Sequence, residues 1–110
     1  MNVKKWVAFS SNDDGVLGFV RASEQKSLPA ESVIGVGING TTAKDDFAKE
    51  KPTGMFASAL LSARTHGYST IEMLFHWVKD GKEPPKETYT KGTMIDRTNF
   101  KEKMKEEGLD

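Results

Sequence analysis

The amino-acid sequence predicts an α/β fold in which helices cover a mostly parallel sheet. Three short apolar runs, each of the length of a buried strand, recur in the first half of the chain, and stretches with helical spacing separate them. The runs are apolar on both faces, which is typical of parallel strands packed between two helical layers. We therefore expect a three-layer fold, in which the sheet lies between two layers of helices. At 110 residues the chain is one domain or part of one.

The first strand and helix are predicted over the first quarter of the chain. Residues 6–9 form an apolar run that ends at a polar cluster, which we interpret as a strand-to-helix loop. Asp13 or Asp14 can cap the following helix, because a short carboxylate satisfies a free amide of the first turn. A stripe at helical spacing then continues to about residue 22.

The pattern then repeats. Residues 32–38 predict a second buried strand, and Thr42 with Asp45 resembles a capping box at the start of a second helix. Pro52 and Gly54 end that helix, and residues 55–61 predict a third strand.

The second half of the chain lacks the repeated short apolar runs of the first half. Residues 64–79 predict one long helix with an apolar face, and Gly81 supplies its end. Residues 87–95 are polar and rich in threonine, which predicts an edge strand or an extended segment. A final helix is expected from Asp96 or Thr98 through residue 107.

Composition excludes several classes of function. The 16 basic residues balance the 16 acidic ones, which argues against a nucleic-acid partner. The chain has no cysteine, so disulfides, thiolate zinc sites and cysteine nucleophiles are absent. Its longest apolar runs are far shorter than the ~20 residues of a membrane-spanning helix, and no signal peptide opens the sequence. We expect any export signal to lie outside this sequence.

A glycine-rich motif offers one interpretation as an enzyme. Gly35, Gly37 and Gly40 form G-x-G-x-x-G between a strand and a helix, the pattern of dinucleotide-binding folds. The next strand, however, ends in Ala59-Leu60-Leu61 and offers no acidic residue for a ribose hydroxyl. The alternative is that small residues let a helix pack close to the sheet.

Two asparagines are the better candidates for a binding site. Asn12 and Asn39 each follow a predicted buried strand, at the edge where ligands bind in open α/β sheets. A carboxamide both donates and accepts, which suits the hydroxyls of a neutral sugar. The alternative is that each asparagine caps a helix or tolerates a left-handed backbone.

Other polar residues carry weaker signals. His66 and His76 are ten residues apart and do not form a metal-binding pair, and no serine lies in a nucleophile elbow. The acidic pairs 13–14 and 45–46 could be read as magnesium or acid/base carboxylates, but acids at helix starts are common. We expect no catalytic residue, metal or cofactor.

The residues in order resemble the carboxy-terminal third of a periplasmic sugar-binding protein of the pentose-binding type. The resemblance covers almost the whole chain. The stretches that carry it are Asn12-Asp13, Val16-Leu17-Gly18, Val20-Arg21-Ala22, Ile34 to Gly40, His66-Gly67-Tyr68, Glu72-Met73-Leu74, Glu83-Pro84-Pro85-Lys86, Arg97 and Asn99-Phe100-Lys101-Glu102.

The resemblance implies a site and a ligand. Asparagines matching Asn12 and Asn39 hydrogen-bond the sugar in that family, from the carboxy-terminal lobe. The positions of Ser11 and Thr42 also lie at the sugar site, where the family normally carries methionine and aspartate. These two differences leave open which monosaccharide, L-arabinose or a related pentose or hexose, the protein takes.

The resemblance also implies a partial lobe of a two-lobed, Rossmann-like or flavodoxin-like protein. Residues 1–61 would supply part of the second lobe, residues 62–95 a crossover helix and strand of first-lobe origin, and residues 96–110 the terminal helix. The exposed apolar face of the long helix would then be covered either by this chain's own sheet or by another copy. Its members are Tyr68, Ile71, Phe75 and Val78.

The function that the resemblance implies is sugar binding for an importer of the ABC type. The intact parent would be periplasmic, would deliver its sugar to a membrane permease and would have no enzymatic activity. With one wall of the cleft, this chain alone should bind weakly or not at all. Two other functions stay open: the effector-binding domain of a sugar-responsive transcriptional regulator, and a small nucleotide-binding enzyme that uses the glycine motif.

Overall fold

A computed structural model describes residues 2–109, in which strands and helices alternate along most of the chain. Their bounds are β1 Trp6–Phe9, α1 Asp13–Gln25, β2 Val33–Asn39, α2 Lys44–Phe47, β3 Met55–Leu60, α3 Ala63–Asp80, β4 Thr93–Ile95 and α4 Phe100–Glu106. A single 3₁₀ turn, Ala30–Ser32, leads into β2.

The strands form one sheet in the order β1-β2-β3-β4. The first three strands are parallel, with Val7 opposite Ile34 and Ile38 opposite Ala59. β4 runs antiparallel to β3 and pairs Ile95 with Ser58. The predicted α/β fold with a mostly parallel sheet is therefore confirmed.

The hydrophobic core lies on one face of this sheet. Val16 and Val20 of α1, Phe47 of α2 and Phe100 of α4 are buried there, and the rings of Phe47 and Phe100 are 5.8 Å apart. α1 and α2 share this face because two right-handed crossovers that step along a sheet in the same direction place their helices on the same side. Among residues 2–109 the fold therefore has two layers, the sheet and the helices on one of its faces. The predicted layer of helices on the other face is not formed by these residues.

The cap of α1 differs from the prediction. Asn12, not Asp13 or Asp14, is the N-cap, and its Oδ1 accepts a hydrogen bond from the Gly15 amide at 3.0 Å. Asp13 belongs to the first turn of the helix and is buried, whereas Asp14 is exposed. The Asp13 carboxylate is buried against the sheet, so Asn12, the residue before it, caps the helix.

The start of α2 also differs. The helix has only four residues, begins at Lys44 and has no side-chain cap, so the predicted capping box of Thr42 and Asp45 does not form. The Ala43 amide instead donates to the Asp13 carboxylate at 3.1 Å. A side chain from α1 thus replaces the local cap.

The long helix α3 begins and ends as the sequence indicates. The Ser62 hydroxyl accepts a hydrogen bond from the Thr65 amide at 3.1 Å, and Gly81 ends the helix at φ 67°. No residue of α3 is buried, so of the two covers expected for its apolar face the chain's own sheet is wrong within residues 2–109, and a second copy stays a prediction. The Cα radius of gyration is 17.8 Å, against about 13 Å for a compact chain of this length, because α3 extends away from the sheet.

The last part of the chain returns to the sheet. Of the extended segment predicted over 87–95, only Thr93–Ile95 forms a strand, at the edge of the sheet beside β3. Arg97 then fixes the following turn by donating to backbone carbonyls of α2 and of the loop that follows it. These carbonyls belong to Asp46, Lys49, Glu50 and Lys51. No helix within residues 2–109 is both long and apolar enough to cross a membrane.

A buried carboxylate links α1, α2 and the loop before β3 beside the core. Asp46 pairs with Arg21 of α1 and with Lys49 at 2.6 Å, and it accepts the Thr53 hydroxyl at 2.7 Å. Burial by itself would raise the pKa of Asp46, but the hydrogen bonds from Lys49, Thr53 and Arg21 and the charge of Arg21 outweigh it and lower that pKa. The pairing is therefore strongest when Asp46 is ionised.

We expect Asp46→Asn to lower the free energy of unfolding at pH 7 by about 2 kcal/mol, since charge-assisted hydrogen bonds are lost. Because the folded-state pKa lies below the unfolded one, the wild-type contribution is complete above the unfolded pKa and disappears as the pH falls through the folded value. Urea denaturation between pH 7 and pH 3 measures both effects. The exposed neighbour variant Asp45→Asn is the control, and an equal loss in both variants would contradict the assignment.

Candidate functional site

All four residues predicted to face a ligand lie at one edge of the sheet. Ser11 and Asn12 are in the loop after β1, Asn39 is the last residue of β2, and Thr42 is in the loop that follows it. Because β1 and β2 are parallel neighbours, these loops meet at the carboxyl edge. Ser11, Asn12 and Asn39 are exposed, and Thr42 is half-buried. The edge is an open surface with three accessible polar side chains.

Asn12 combines a structural role with free donor capacity. Its Oδ1 caps α1, which is the alternative considered from the sequence. Its Nδ2 makes no hydrogen bond within residues 2–109. An amide nitrogen with two protons therefore remains available to a ligand at this edge.

Asn39 adopts a backbone conformation that is uncommon for a residue with a side chain. Its φ is 108°, and the next residue, Gly40, follows at 82°. The Asn39 carbonyl accepts the Leu61 amide at 3.2 Å, which ties the end of β2 to the end of β3. Such conformations cost of order 1–3 kcal/mol and cluster at functional sites. Asparagine is enriched among residues with a positive φ, so Asn39 also has the structural role that was the alternative considered from the sequence.

The carboxylate of Asp13 holds this edge together from inside. Its Oδ2 accepts the amides of Gly40 at 2.8 Å and Ala43 at 3.1 Å, and its Oδ1 accepts the Ser58 hydroxyl at 2.6 Å. Asp13 is 1% exposed and Ser58 is fully buried. One side chain of α1 thereby connects the loop after β2 with β3.

Sequence reasoning missed this connection, because it treated Asp13 as a helix cap. Two signals could have revealed it. Ser58 is a polar residue at an inward-facing position of an otherwise apolar strand, and it needs a buried partner. Gly37, on the strand between them, leaves room for that partner, since a Cβ there would collide with the Asp13 carboxylate.

The glycine motif is explained by packing. A Cβ on Gly35 would lie 2.6 Å from Val16 Cγ1 and 2.8 Å from the Gly54 carbonyl oxygen. Both strand glycines of the motif are buried under α1 and present no open backbone to a pyrophosphate. Close approach of α1 to β2, the alternative considered from the sequence, accounts for them.

The remaining titratable residues do not assemble into a reactive group. Within residues 2–109 no three histidines or carboxylates are placed to hold a metal ion. His76 Nδ1 lies 2.8 Å from Asp80 on the surface of α3. Asp13 and Asp46 are committed to structural hydrogen bonds. The arrangement favours recognition of a neutral polar ligand over acid/base chemistry.

Solved structures place this fold in a class. The chain is similar to a galactofuranose-binding protein, with a TM-score of 0.75 and 25% identity over 93% of this chain and 34% of that one. A periplasmic ribose ABC transporter protein from Conexibacter woesei shares the fold, with a TM-score of 0.71 and 23% identity, over 90% of this chain and 33% of that one. The fold is that of part of a lobe of the periplasmic sugar-binding proteins.

Two relatives share more of their sequence with this chain than the solved structures do. The chain is 44% identical over 109 residues to the ABC transporter L-arabinose-binding periplasmic protein of Azospirillum brasilense, which covers 98% of this chain and 33% of that protein. It is also 44% identical over 108 residues to the L-arabinose-binding periplasmic protein of Escherichia coli, over 97% of this chain and 33% of the relative. No protein-family model matches. The resemblance recognised from the sequence is confirmed, and the chain spans about a third of its relatives' length.

We expect Asp13→Ala to lower the free energy of unfolding by about 3 kcal/mol or more, because it leaves three buried donors without an acceptor. Asp13→Asn, which keeps one carbonyl oxygen, should lose less. Urea denaturation gives the stability, and hydrogen exchange at the Gly40 and Ala43 amides reports the local effect. Asp14→Ala is the matched control, and unchanged exchange at both amides in Asp13→Ala would exclude this role.

Gly37→Ala and Gly18→Ala should have opposite signs. The added methyl at Gly37 meets the Asp13 carboxylate and should cost about 2 kcal/mol of stability. At Gly18, on the open side of α1, nothing lies within 4 Å, and alanine should stabilise the helix by up to about 1 kcal/mol. Thermal unfolding of the two variants measures the difference. Equal destabilisation at both positions would argue against the packing explanation.

Proposed function

We propose that this chain forms one wall of a monosaccharide-binding cleft, at the carboxyl edge of β1 and β2. The observation that carries the proposal is the position of Asn12 and Asn39 at one exposed edge, where the Gly15 amide bonds to Asn12 and the buried Asp13 carboxylate fixes the loop after Asn39. Relatives that match nearly the whole chain are L-arabinose-binding proteins, which supports a sugar as the ligand.

The chemistry of the two side chains fits sugar hydroxyls. Each hydroxyl of a vicinal diol donates one hydrogen bond and accepts others, and a carboxamide offers both functions in one plane. Asn12 contributes the free Nδ2 protons, and Asn39 contributes a whole carboxamide that makes no hydrogen bond within residues 2–109. Ser11 and Thr42 lie beside them and can add hydroxyl contacts. A neutral, hydroxyl-rich ligand satisfies all four.

Within the whole protein the role is binding and delivery, without catalysis. We propose a solute-binding component of an ABC importer that acts in the periplasm, binds L-arabinose or a related monosaccharide and docks on a membrane permease. The similarity to ABC-transporter binding proteins and the commitment of the buried carboxylates to structural hydrogen bonds support this function.

We also propose how the chain divides between lobes. Residues 6–60 and the end of the chain from β4 onward belong to one lobe, because β4 hydrogen-bonds to β3. Residues 62–92 leave the carboxyl edge of β3 and return to that edge at Thr93, which suits a crossing to the opposite wall of a cleft. The boundary thus moves to residue 92 from the residue 95 expected from the sequence.

The experiment is a titration of the ¹⁵N-labelled chain with L-arabinose, D-galactose and D-ribose, followed by amide chemical shifts. We expect shifts confined to residues 11–13 and 39–43, with a dissociation constant above about 1 mM, because one wall buries little of a ligand. Of the two outcomes expected from the sequence, weak binding or none, the proposal requires weak binding, so absence of localised shifts up to about 100 mM sugar, or shifts centred elsewhere, would contradict the site.

Two matched variants separate recognition from folding. Asn12→Ser keeps a helix-capping oxygen and removes the carboxamide, and Asn39→Gly keeps the backbone conformation and removes the carboxamide. Both should fold with near wild-type stability and lose the sugar-dependent shifts. Retention of the shifts in both variants would exclude these side chains as sugar ligands.

A further inference from the structure

The carboxyl edge of β2 carries the one asparagine-glycine pair of the sequence, Asn39-Gly40. Asparagine before glycine is chemically unstable, because the main-chain nitrogen of the glycine can attack the side-chain carbonyl carbon of the asparagine. Glycine has no Cβ to hinder that close approach. The Asn39 side chain is exposed and makes no hydrogen bond with residues 2–109. The carbon that would be attacked is therefore accessible.

The fold requires glycine at position 40. Its φ is 82°, in the left-handed region, and a Cβ there would lie 2.7 Å from Leu60 Cδ1 and 3.0 Å from Ile95 Cδ1. Both neighbours belong to the hydrophobic core and have little room to move. An asparagine at the end of β2 is thus followed by an obligatory glycine, so any protection of the pair has to come from other contacts.

The nitrogen of this pair donates its proton to a buried carboxylate. The Gly40 amide bonds to Asp13 Oδ2 at 2.8 Å, and both residues are buried. An amide nitrogen becomes a nucleophile only after it loses its proton. Loss of that proton here would leave a negative nitrogen beside a carboxylate in a region of low dielectric, where like charges repel strongly. The hydrogen bond therefore opposes formation of the nucleophile.

We propose that Asn39 is a deamidation site, and that the hydrogen bond from the Gly40 amide to Asp13 restrains the reaction. The Gly40 nitrogen loses its proton to a base from solvent and bonds to Asn39 Cγ. The bond from Cγ to Nδ2 breaks, Nδ2 takes up a proton from water and leaves as ammonia, and a cyclic succinimide remains. Water then opens the ring at either carbonyl and gives aspartate or isoaspartate.

Opening of the edge is the step that frees the nitrogen. The Gly40 amide separates from Asp13 only when the loop after β2 moves away, which also stretches the hydrogen bond from the Ala43 amide, 3.1 Å long in the closed edge. Local openings of this kind require less free energy than global unfolding. Since opening is fast compared with the chemistry, the rate in the folded chain follows the fraction of molecules that are open.

Deamidation changes the edge in two ways. A neutral carboxamide is replaced by a negative carboxylate, and isoaspartate also adds a methylene group to the main chain. The added group lies where the Asn39 carbonyl accepts the Leu61 amide at 3.2 Å, so the contact between the ends of β2 and β3 is disturbed. Loss of a sugar contact follows only if the proposed function is correct. The modification itself does not depend on sugar binding.

The first experiment compares deamidation in the folded and the unfolded chain. Wild-type protein is incubated in mildly alkaline buffer with and without denaturing guanidinium chloride, digested with trypsin and followed by mass spectrometry. Asn39 is the only side-chain amide in the tryptic peptide 27–44, so replacement of NH₂ by OH in that peptide reports this residue alone. We expect the folded chain to react at least about tenfold more slowly, because a hydrogen bond to a charged group has to break.

Two variants separate the role of Asp13 from general stability. Asp13→Ala, under conditions where it is folded, should deamidate at Asn39 about tenfold faster than the wild type or more. Asp46→Asn is the matched control, since it loses a buried carboxylate that does not contact Gly40. It should react at close to the wild-type rate. Equal acceleration in both variants would overturn the restraint by Asp13.

Hydrogen exchange keeps the test valid if Asp13→Ala fails to fold. In the wild type, exchange of the Gly40 amide and deamidation of Asn39 should rise in parallel as guanidinium chloride is added below the unfolding transition, because both need the same opening. Unchanged deamidation while that exchange accelerates would overturn the restraint, and so would equal rates in the folded and the unfolded chain. Absence of deamidation in the unfolded chain would overturn the modification site itself.

Discussion

The buried carboxylate of Asp13 fixes three consecutive strands relative to one another at the edge that carries the candidate site. It accepts hydrogen bonds from the Gly40 and Ala43 amides and from the Ser58 hydroxyl. A buried charge is tolerated only when its hydrogen bonds are satisfied, so the loops cannot move independently without a large cost. Gly37 has no side chain, which leaves room for the Asp13 carboxylate. Asn12 caps the helix because Asp13 points inward. The positions of the candidate site residues therefore depend on Asp13, which is not itself exposed at that edge.

Handedness is the second constraint, and it accounts for the shape of the molecule. Right-handed crossovers from β1 to β2 and from β2 to β3 place α1 and α2 on one face, and α4 joins them there through Phe100 and Met104. The other face has no covering helix among the described residues. The only remaining long helix, α3, starts at the end of β3 and extends past the sheet. Among residues 2–109 the topology thus places the other helices on one face of the sheet and α3 beyond it, so the opposite face of the sheet and the apolar side of α3 are exposed.

The sequence predicted the elements well where apolar runs determine them. β3 was expected over 55–61 and covers Met55–Leu60, and α3 was expected over 64–79 and covers Ala63–Asp80. Prediction failed where tertiary contacts decide between neighbouring residues. Local spacing cannot tell whether Asn12, Asp13 or Asp14 caps a helix, since the choice depends on which side chain the sheet accepts. Apolar periodicity likewise predicts that one face of a helix such as α3 is buried. It does not predict which segment packs on that face. The predicted ends of the strands placed Asn12 and Asn39 at the edge of the sheet. The positive φ of Asn39 could not be predicted in the same way, because it depends on the folded loop.

The path of residues 62–92 places the start of α3 at the edge of the sheet that carries the candidate site. Because β4 is antiparallel to β3 and begins beside Leu60, the chain leaves and re-enters the sheet at its carboxyl edge. Asn12 and Asn39 occupy that same edge, so whatever packs against α3 is brought close to the candidate site. The candidate site and the start of α3 thus lie at the same end of the molecule. The antiparallel return through Thr93–Ile95 is the feature that brings the chain back to the edge that carries the candidate site.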